Sequence, residues 1–513
     1  MPPQEGNRAG KIKLIKKQED SLKKRYFYKL LTNLSGLCIG ACTQAIIPRG
    51  LGPKAYGDYN FLVNFFTQFI NFFDMGSSIG FYTKLSQRPK EFKLISFYLY
   101  FVWVVTIIIV FFVALAQLTG LYNILWPNQL LAYVYLSIFL GLLIWVTNIM
   151  TRIGDAYGLT ISTETAKIIQ RIFGLVIIVT LFICNKLSLR VFFFYNYFIL
   201  ALLIGVFYYL LREHGCDALR NWKMPFVEIK KYATEFYSYS QPLFLYSLVV
   251  MLTGMFDKWL LQICSGSVEQ GFFGLSYQIG AICFMFTSAM TPLIMREFSI
   301  AYNNKDMDLM AHLFRKHVPL LYSITALLAC FTAVNADKAA IIMGGGRFQG
   351  AIPAVAIMAF FPIHQVYGQL GSSVFYASDR VKIFSNIAVV FMLLSLPLTY
   401  FLVAPRKFFG LNTGALGLSC AMVLMQFLSV NVQLYFNSKL LKFSFWKYLA
   451  HQLGSVAVFL IIAIFARLII DYILPMRAGI IVSFMSCCIL YLTIAFIFIY
   501  FFPIVIGTKK DLA

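Results

Sequence analysis

Ile47-Pro48-Arg49-Gly50-Leu51-Gly52-Pro53-Lys54-Ala55-Tyr56-Gly57-Asp58-Tyr59-Asn60 lies between two apolar runs. Its prolines and glycines stop one helix and turn the chain back. Arg49, Lys54 and Asp58 are its only charges. A helix out, a short turn and a helix back read as a hairpin between two membrane spans.

The composition of the whole chain supports that reading. Of 513 residues, 60% are hydrophobic and 12% charged, against roughly 25% charged in a soluble domain. Apolar runs of about 20 residues recur throughout. The 52 Phe and 30 Tyr suit a lipid-facing surface with interfacial belts. We read about fourteen helical spans, since helices satisfy their own backbone in lipid. With the N-terminus inside, the inner segments hold about thirty Lys and Arg and the outer loops about nine, a clear positive-inside bias. Both termini are then cytoplasmic, and the net charge of +22 is explained by the membrane without nucleic acid. The basic N-terminus lacks the apolar core of a cleaved signal peptide. The ten Cys have no metal spacing and read as small apolar packing residues.

The expected organisation is a basic tail (1–27), a first lobe of six spans (28–211) and a cytoplasmic linker (212–236). A second lobe of six spans (237–436) and a pair of added spans (437–513) follow. An internal repeat supports the two lobes. Tyr56-Gly57-Asp58-Tyr59 matches Gln270-Gly271-Phe272-Phe273, and the acidic turn at Gly154-Asp155 matches Ser378-Asp379-Arg380 at a similar offset. Both copies enter the membrane in the same direction, as in parallel-repeat transporters.

Several stretches carry a family pattern. They are the Arg49, Leu51-Gly52-Pro53 and Tyr56-Gly57 turn, Asp74-Met75-Gly76, and Pro242-Leu243-Phe244 with Asp257-Lys258-Trp259. Gly271 to Gly280 with Pro292 and Arg296, and Pro405 to Gly417 ending in Gly-Ala-Leu-Gly, complete the set. The chain resembles the polysaccharide-transporter branch of the multidrug/oligosaccharidyl-lipid/polysaccharide (MOP) exporter superfamily, which includes Wzx-type O-antigen flippases. The resemblance implies an all-α fold like that of MATE and MurJ transporters. It implies a lipid-linked oligosaccharide substrate at the bacterial inner membrane. A polysaccharide polymerase and a chain-length regulator would be partners, and no cofactor is implied.

Charged residues inside spans are costly and usually face the protein interior. In the fifth span, Glu164, Lys167 and Arg171 share one face at steps of three and four. Arg171 lies about 15 Å into the helix, near the midplane. Either these groups neutralise one another, or Lys167 and Arg171 form a cationic wall for an anionic head group, where the Arg fork matches phosphate oxygens. In the second span, Asn60, Asn64, Gln68, Asn71, Asp74 and Ser78 form a polar stripe. It serves interhelical hydrogen bonds or sugar hydroxyls. Asp257, Asp74 and Glu164 are candidate ion-coupling carboxylates. Arg49 and Arg296 are candidate substrate contacts, with interfacial anchoring as the plainer role. Arg467 and Asp471 read as a structural pair.

No Gly-x-x-x-x-Gly-Lys-Ser/Thr occurs, and Gly344-Gly345-Gly346 reads as a turn. No nucleophile elbow or zinc-binding helix motif is present. Two alternatives to a flippase stay open. A cation or drug exporter would have an acidic lumen. A membrane polymerase or glycosyltransferase would carry a sizeable outer loop, and the outer loops here are short.

Overall fold

The computed structural model describes residues 22–88, 91–213, 224–241, 244–474 and 479–507. The basic tail before Leu22, the middle of the linker (214–223) and Pro242-Leu243 lie outside the described residues. Every regular element among the described residues is helical. In chain order the α-helices of seven residues or more are α1 (Leu22–Asp74), α2 (Ser77–Gln87), α3 (Phe92–Leu118), α4 (Leu131–Ala156), α5 (Thr160–Ile183) and α6 (Leu189–Glu213). Then come α7 (Phe226–Ser240), α8 (Phe244–Cys283), α9 (Met285–Asn303), α10 (Met307–Val334), α11 (Ala336–Gly344) and α12 (Ile352–Met358). The last are α13 (Phe361–Ala377), α14 (Val381–Val403), α15 (Gly414–Leu441), α16 (Phe445–Ile473) and α17 (Ile480–Phe501).

The expected hairpin at Ile47–Asn60 takes a tighter form than a loop. Helical geometry fails only at Gly52, with φ 76° and ψ 169°, so α1 is two helices joined across one residue. Only glycine adopts that backbone freely. Pro53 follows at the first position of the second arm, where its missing N–H costs nothing. The same device recurs in α8, where Gly266 has φ 81° and ψ −177°. Gly266 follows Gly52 by the same interval that separates Gly271 from Gly57. The repeat legible in sequence is therefore a repeat of kinked helix pairs.

Ten helices among the described residues are long and apolar enough to cross a membrane, or eleven if α12 and α13, bent by 40°, form one span with the turn before them. The count of fourteen spans is therefore not reached: α1 covers the first expected segment and most of the second, α8 covers most of the seventh, and the eighth is divided between α8 and α9. Only the second arm of α1 carries the Asn/Gln stripe, which lowers its hydropathy; the first arm is apolar from Leu30 to Ile47 apart from scattered small and amide side chains.

The helices form two compact units. Of the described residues, one comprises those up to Thr43 with those of Leu62–Met251, the other Gln44–Phe61 with those from Leu252 onward. In the second unit, α9, α10, α13, α15, α16 and α17 share one apolar core around Phe314, Val318, Ala326, Cys330, Leu370 and Tyr491. Arg467 grips Asp337 with both fork nitrogens at 3.0 and 2.9 Å and reaches Asp471 at 3.3 Å. Lys338 closes the network on Asp471 at 2.9 Å. The expected Arg467–Asp471 pair is thus part of a clamp between α11 and α16.

In the first unit, the linker forms α7, an amphipathic helix at a place where the sequence alone suggests a loop. Glu228, Tyr232, Glu235 and Phe236 share one face. Glu228 pairs with Lys93 at 2.6 Å, and Glu235 pairs with both Lys84 and Arg88. Burial alone would raise the Glu235 carboxyl, but the hydrogen bonds and charges of Lys84 and Arg88 outweigh it and hold it below the usual range.

Candidate functional site

The first unit contains a half-open cavity of about 570 Å³ lined by residues of α1, α2, α4, α5 and α6. That volume suits a small-molecule head group. One wall is built where α1 ends. Met75 and Gly76 take positive φ of 40° and 74° and break the helix. The Asp74 carboxylate bridges the break: it accepts the backbone N–H of Ser78 at 3.2 Å and the Ser78 hydroxyl at 2.9 Å. It also accepts Tyr98 Oη at 2.8 Å, Trp145 Nε1 at 3.3 Å and Ser77 Oγ at 3.3 Å. A carboxylate at a helix N-terminus is favoured by the orphan N–H groups there.

The opposite wall is α5. Glu164 is buried and pairs with Lys167 Nζ at 2.9 Å. Arg171 does not join that pair. Its Nη1 donates to the Thr32 carbonyl of α1 at 2.9 Å. The guanidinium lies across Gly36: a Cβ there would stand 1.6 Å from Arg171 Nη1. One donor of five is thus used, and among the described residues no carboxylate lies within ion-pair distance of Arg171.

The structure adds a third cation that the sequence alone does not single out. Arg152 lines the cavity from α4, with Trp145, Asn148 and Thr151. Among the described residues it makes no hydrogen bond or ion pair. Trp145, Asn148 and Arg152 are spaced i, i+3, i+7, on one face of α4. Gln170, beside Arg171 in the sequence, also lines the cavity. The lining thus holds Arg152, Lys167 and Arg171 against one carboxylate, Asp74, which is already surrounded by donors.

The other expected site residues are placed apart from this wall. Of the amide stripe, only Asn71 lines the cavity, together with Asp74 and Ser78. Asn64 and Gln68 do not, because one or two further turns at 1.5 Å per residue carry them about 5–10 Å along the helix. Asn64 Oδ1 is buried without a partner. Arg49 belongs to the second unit, where Nη2 donates to the carbonyls of Ile342 at 2.6 Å and Ile341 at 3.2 Å. It caps the last turn of α11, whose carbonyl end attracts a cation. Arg296 is exposed beside Glu297 at 3.5 Å. Asp257 lies in α8, hydrogen-bonded to Thr399 of α14, with Oδ1 buried and unpartnered. The neighbouring Lys258 Nζ sits 3.4 Å from the Phe273 ring centre, in cation–π geometry.

Residues 22–296 match the family model described as polysaccharide biosynthesis protein. No curated protein sequence matches the chain. Among solved structures, the chain is similar to the lipid II flippase MurJ in an inward closed conformation. The TM-score is 0.65 at 12% identity, over 93% of this chain and 98% of that one. It is similar to an inward-facing multidrug resistance MATE transporter of the MOP superfamily, with TM-score 0.63 at 14% identity over 80% and 99% of the two chains. It is also similar to a MOP superfamily transporter from Pyrococcus furiosus described by a binding pocket of reverse polarity, with TM-score 0.53 at 14% identity over 83% and 98%. The chain belongs to the polysaccharide biosynthesis protein family, and its fold is that of the MATE and MurJ transporters of the MOP superfamily.

Proposed function

We propose that this protein flips a polyprenyl-diphosphate-linked oligosaccharide across the bacterial inner membrane, with both termini cytoplasmic. The observation that carries the proposal is the charge of the cavity: Arg152, Lys167 and Arg171 line it, and its one carboxylate is occupied by five donors. In this reading the diphosphate sits on the two guanidinium groups. Asn71, Asn148 and Gln170 meet sugar hydroxyls, and the lipid tail stays in the bilayer. Amides both donate and accept, as hydroxyls require. The family and the fold likeness to a lipid II flippase support the substrate class. Translocation is by alternating access, as in repeat-built transporters. Asp74 positions Trp145 and the α1–α2 break, while Asp257 is the ion-coupling carboxylate. The cationic lining disfavours a cation exporter.

The test is translocation in proteoliposomes. A fluorescent polyprenyl-diphosphate oligosaccharide should become accessible to an impermeant quencher on the far side only when the protein is present. Substrate left on one side, with uptake of lipophilic cations instead, would overturn the reading. Repeated with an imposed proton or sodium gradient, the assay should show stimulation that Asp257→Asn removes. Stimulation that survives in the variant would take Asp257 out of the mechanism.

Gly36 supplies a test of geometry alone. Gly36→Ala places a methyl where the Arg171 guanidinium lies, and the atom it meets is the free end of a flexible side chain. The chain should fold normally, since Ala favours a helix interior by about 1 kcal/mol over Gly. Transport should fall about tenfold with the displaced fork. Wild-type transport at wild-type protein level would show that Arg171 need not lie across α1.

A further inference from the structure

We propose that α7 is an anionic-lipid docking helix, whose free face binds the acidic headgroups of the leaflet on its side of the membrane. The proposal does not depend on what the protein transports. The helix lies between α6, which ends at Glu213, and α8, which begins at Phe244, both long and apolar enough to cross a membrane. Its 15 residues span about 22 Å and contain several charges, too short and too polar to cross. It therefore lies where the spans emerge.

One face is fully engaged. Glu228 holds Lys93 of α3, Glu235 holds Lys84 of α2 and Arg88, and the Tyr232 hydroxyl donates to Glu91. The Phe236 ring stacks on Phe97 at 5.5 Å. These contacts fix how α7 is rotated. The opposite face then presents Phe226 at 77%, Val227 at 78% and Tyr237 at 65% exposure, with Lys230 and Lys231 among them. Phe226, Lys230 and Tyr237 follow one another at i, i+4 and i+11, a single stripe. Among the described residues neither lysine's ammonium group has a hydrogen bond or ion pair.

Aromatic and aliphatic side chains interleaved with unpaired lysines match the headgroup boundary. The apolar groups enter the acyl edge, while the ammonium groups stay level with phosphate. An all-aqueous surface gives three large apolar side chains no reason to sit together. Carboxylates on this face would be repelled by an acidic leaflet, and none is there: the acidic residues of α7 are turned into the ion pairs. The occupant that fits is an anionic lipid surface.

The experiment uses the full-length protein in nanodiscs of phosphatidylcholine alone or with added phosphatidylglycerol. Val227→Cys and Tyr237→Cys are alkylated with a charged maleimide, and modification is read peptide by peptide. Each lysine close to an anionic surface strengthens docking about fivefold, so the two together should slow labelling about thirtyfold in the anionic discs at low salt. High salt should erase the difference. So should Lys230→Gln/Lys231→Gln, which leaves the ion-paired face untouched and should melt like the parent. Equal labelling in both lipid compositions would overturn the proposal, whether fast or slow. So would protection that persists after both lysines are neutralised.

Discussion

Arg171→Ala should reduce transport at least about thirtyfold, the scale of losing one partner from a desolvated charge pair, with the protein at its normal level in the membrane. Stability should change by no more than about 1 kcal/mol, because within the protein the substitution removes a single hydrogen bond. The Thr32 carbonyl keeps the intrahelical bond that its place in α1 supplies. Arg171→Lys keeps the charge but loses the planar fork, so it should retain partial activity, down about tenfold. The competing account makes Arg171 a neutraliser of Glu164. Glu164 already has Lys167 at 2.9 Å, whereas Arg171 donates to a backbone carbonyl. Glu164→Gln should therefore fail to restore transport to Arg171→Ala. Instead it should release Lys167 and make the cavity more cationic. The measurement is complementation of surface polysaccharide, with the liposome assay as control. Restoration by the double variant would return Arg171 to a structural role.

The role of Arg171 is only half legible in the sequence. The face shared by Glu164, Lys167 and Arg171 follows from helix periodicity, and the fold follows from composition and the repeat. Which cation neutralises Glu164 depends on what stands beyond α5, and periodicity on one helix says nothing about that. Gly36 leaves room for a guanidinium to cross to the α1 backbone, a contact 139 residues apart in sequence. Arg152 is hidden because α4 continues to Ala156, past the point where hydropathy falls. Asn64 and Gln68 are overcounted for the converse reason. A polar stripe says that a helix has a second face, not how far a cavity extends along it. The linker helix α7 is amphipathic but short and polar overall, since its docked face mixes Tyr232 and Phe236 with ion-paired glutamates, so it does not stand out as an apolar run.

The repeat carries the other large effect. Gly57→Ala and Gly271→Ala should each destabilise the protein by about 3 kcal/mol, the upper end of ordinary overpacking. Within the second unit, the second arm of α1 crosses the second arm of α8 through these two glycines. A Cβ at Gly57 would lie 1.8 Å from the Ser267 carbonyl oxygen, and one at Gly271 would lie 2.1 Å from the Pro53 carbonyl oxygen. One turn further on, a Cβ at Gly274 would meet Asn60 Nδ2 at 2.8 Å. Small residues at such spacings let helix backbones touch, which is how helices associate where lipid removes the hydrophobic drive. At Gly36 the obstructing atom is the end of an arginine and can swing away. Here it is main chain, so relief requires the two arms to separate, together with the Gly52 and Gly266 kinks that aim them. Gly205→Ala and Gly454→Ala are the controls: nothing lies within 4 Å of a Cβ at either, and each should gain about 0.5–1 kcal/mol of helix stability. Because both methyls would occupy one crossing, the Gly57→Ala/Gly271→Ala double variant should lose less than the sum of the singles. Melting in detergent, compared across the five variants, checks the whole set. If Gly57→Ala and Gly271→Ala melt with Gly454→Ala, the crossing is not closed at the two glycines, and the repeated kink has some other use.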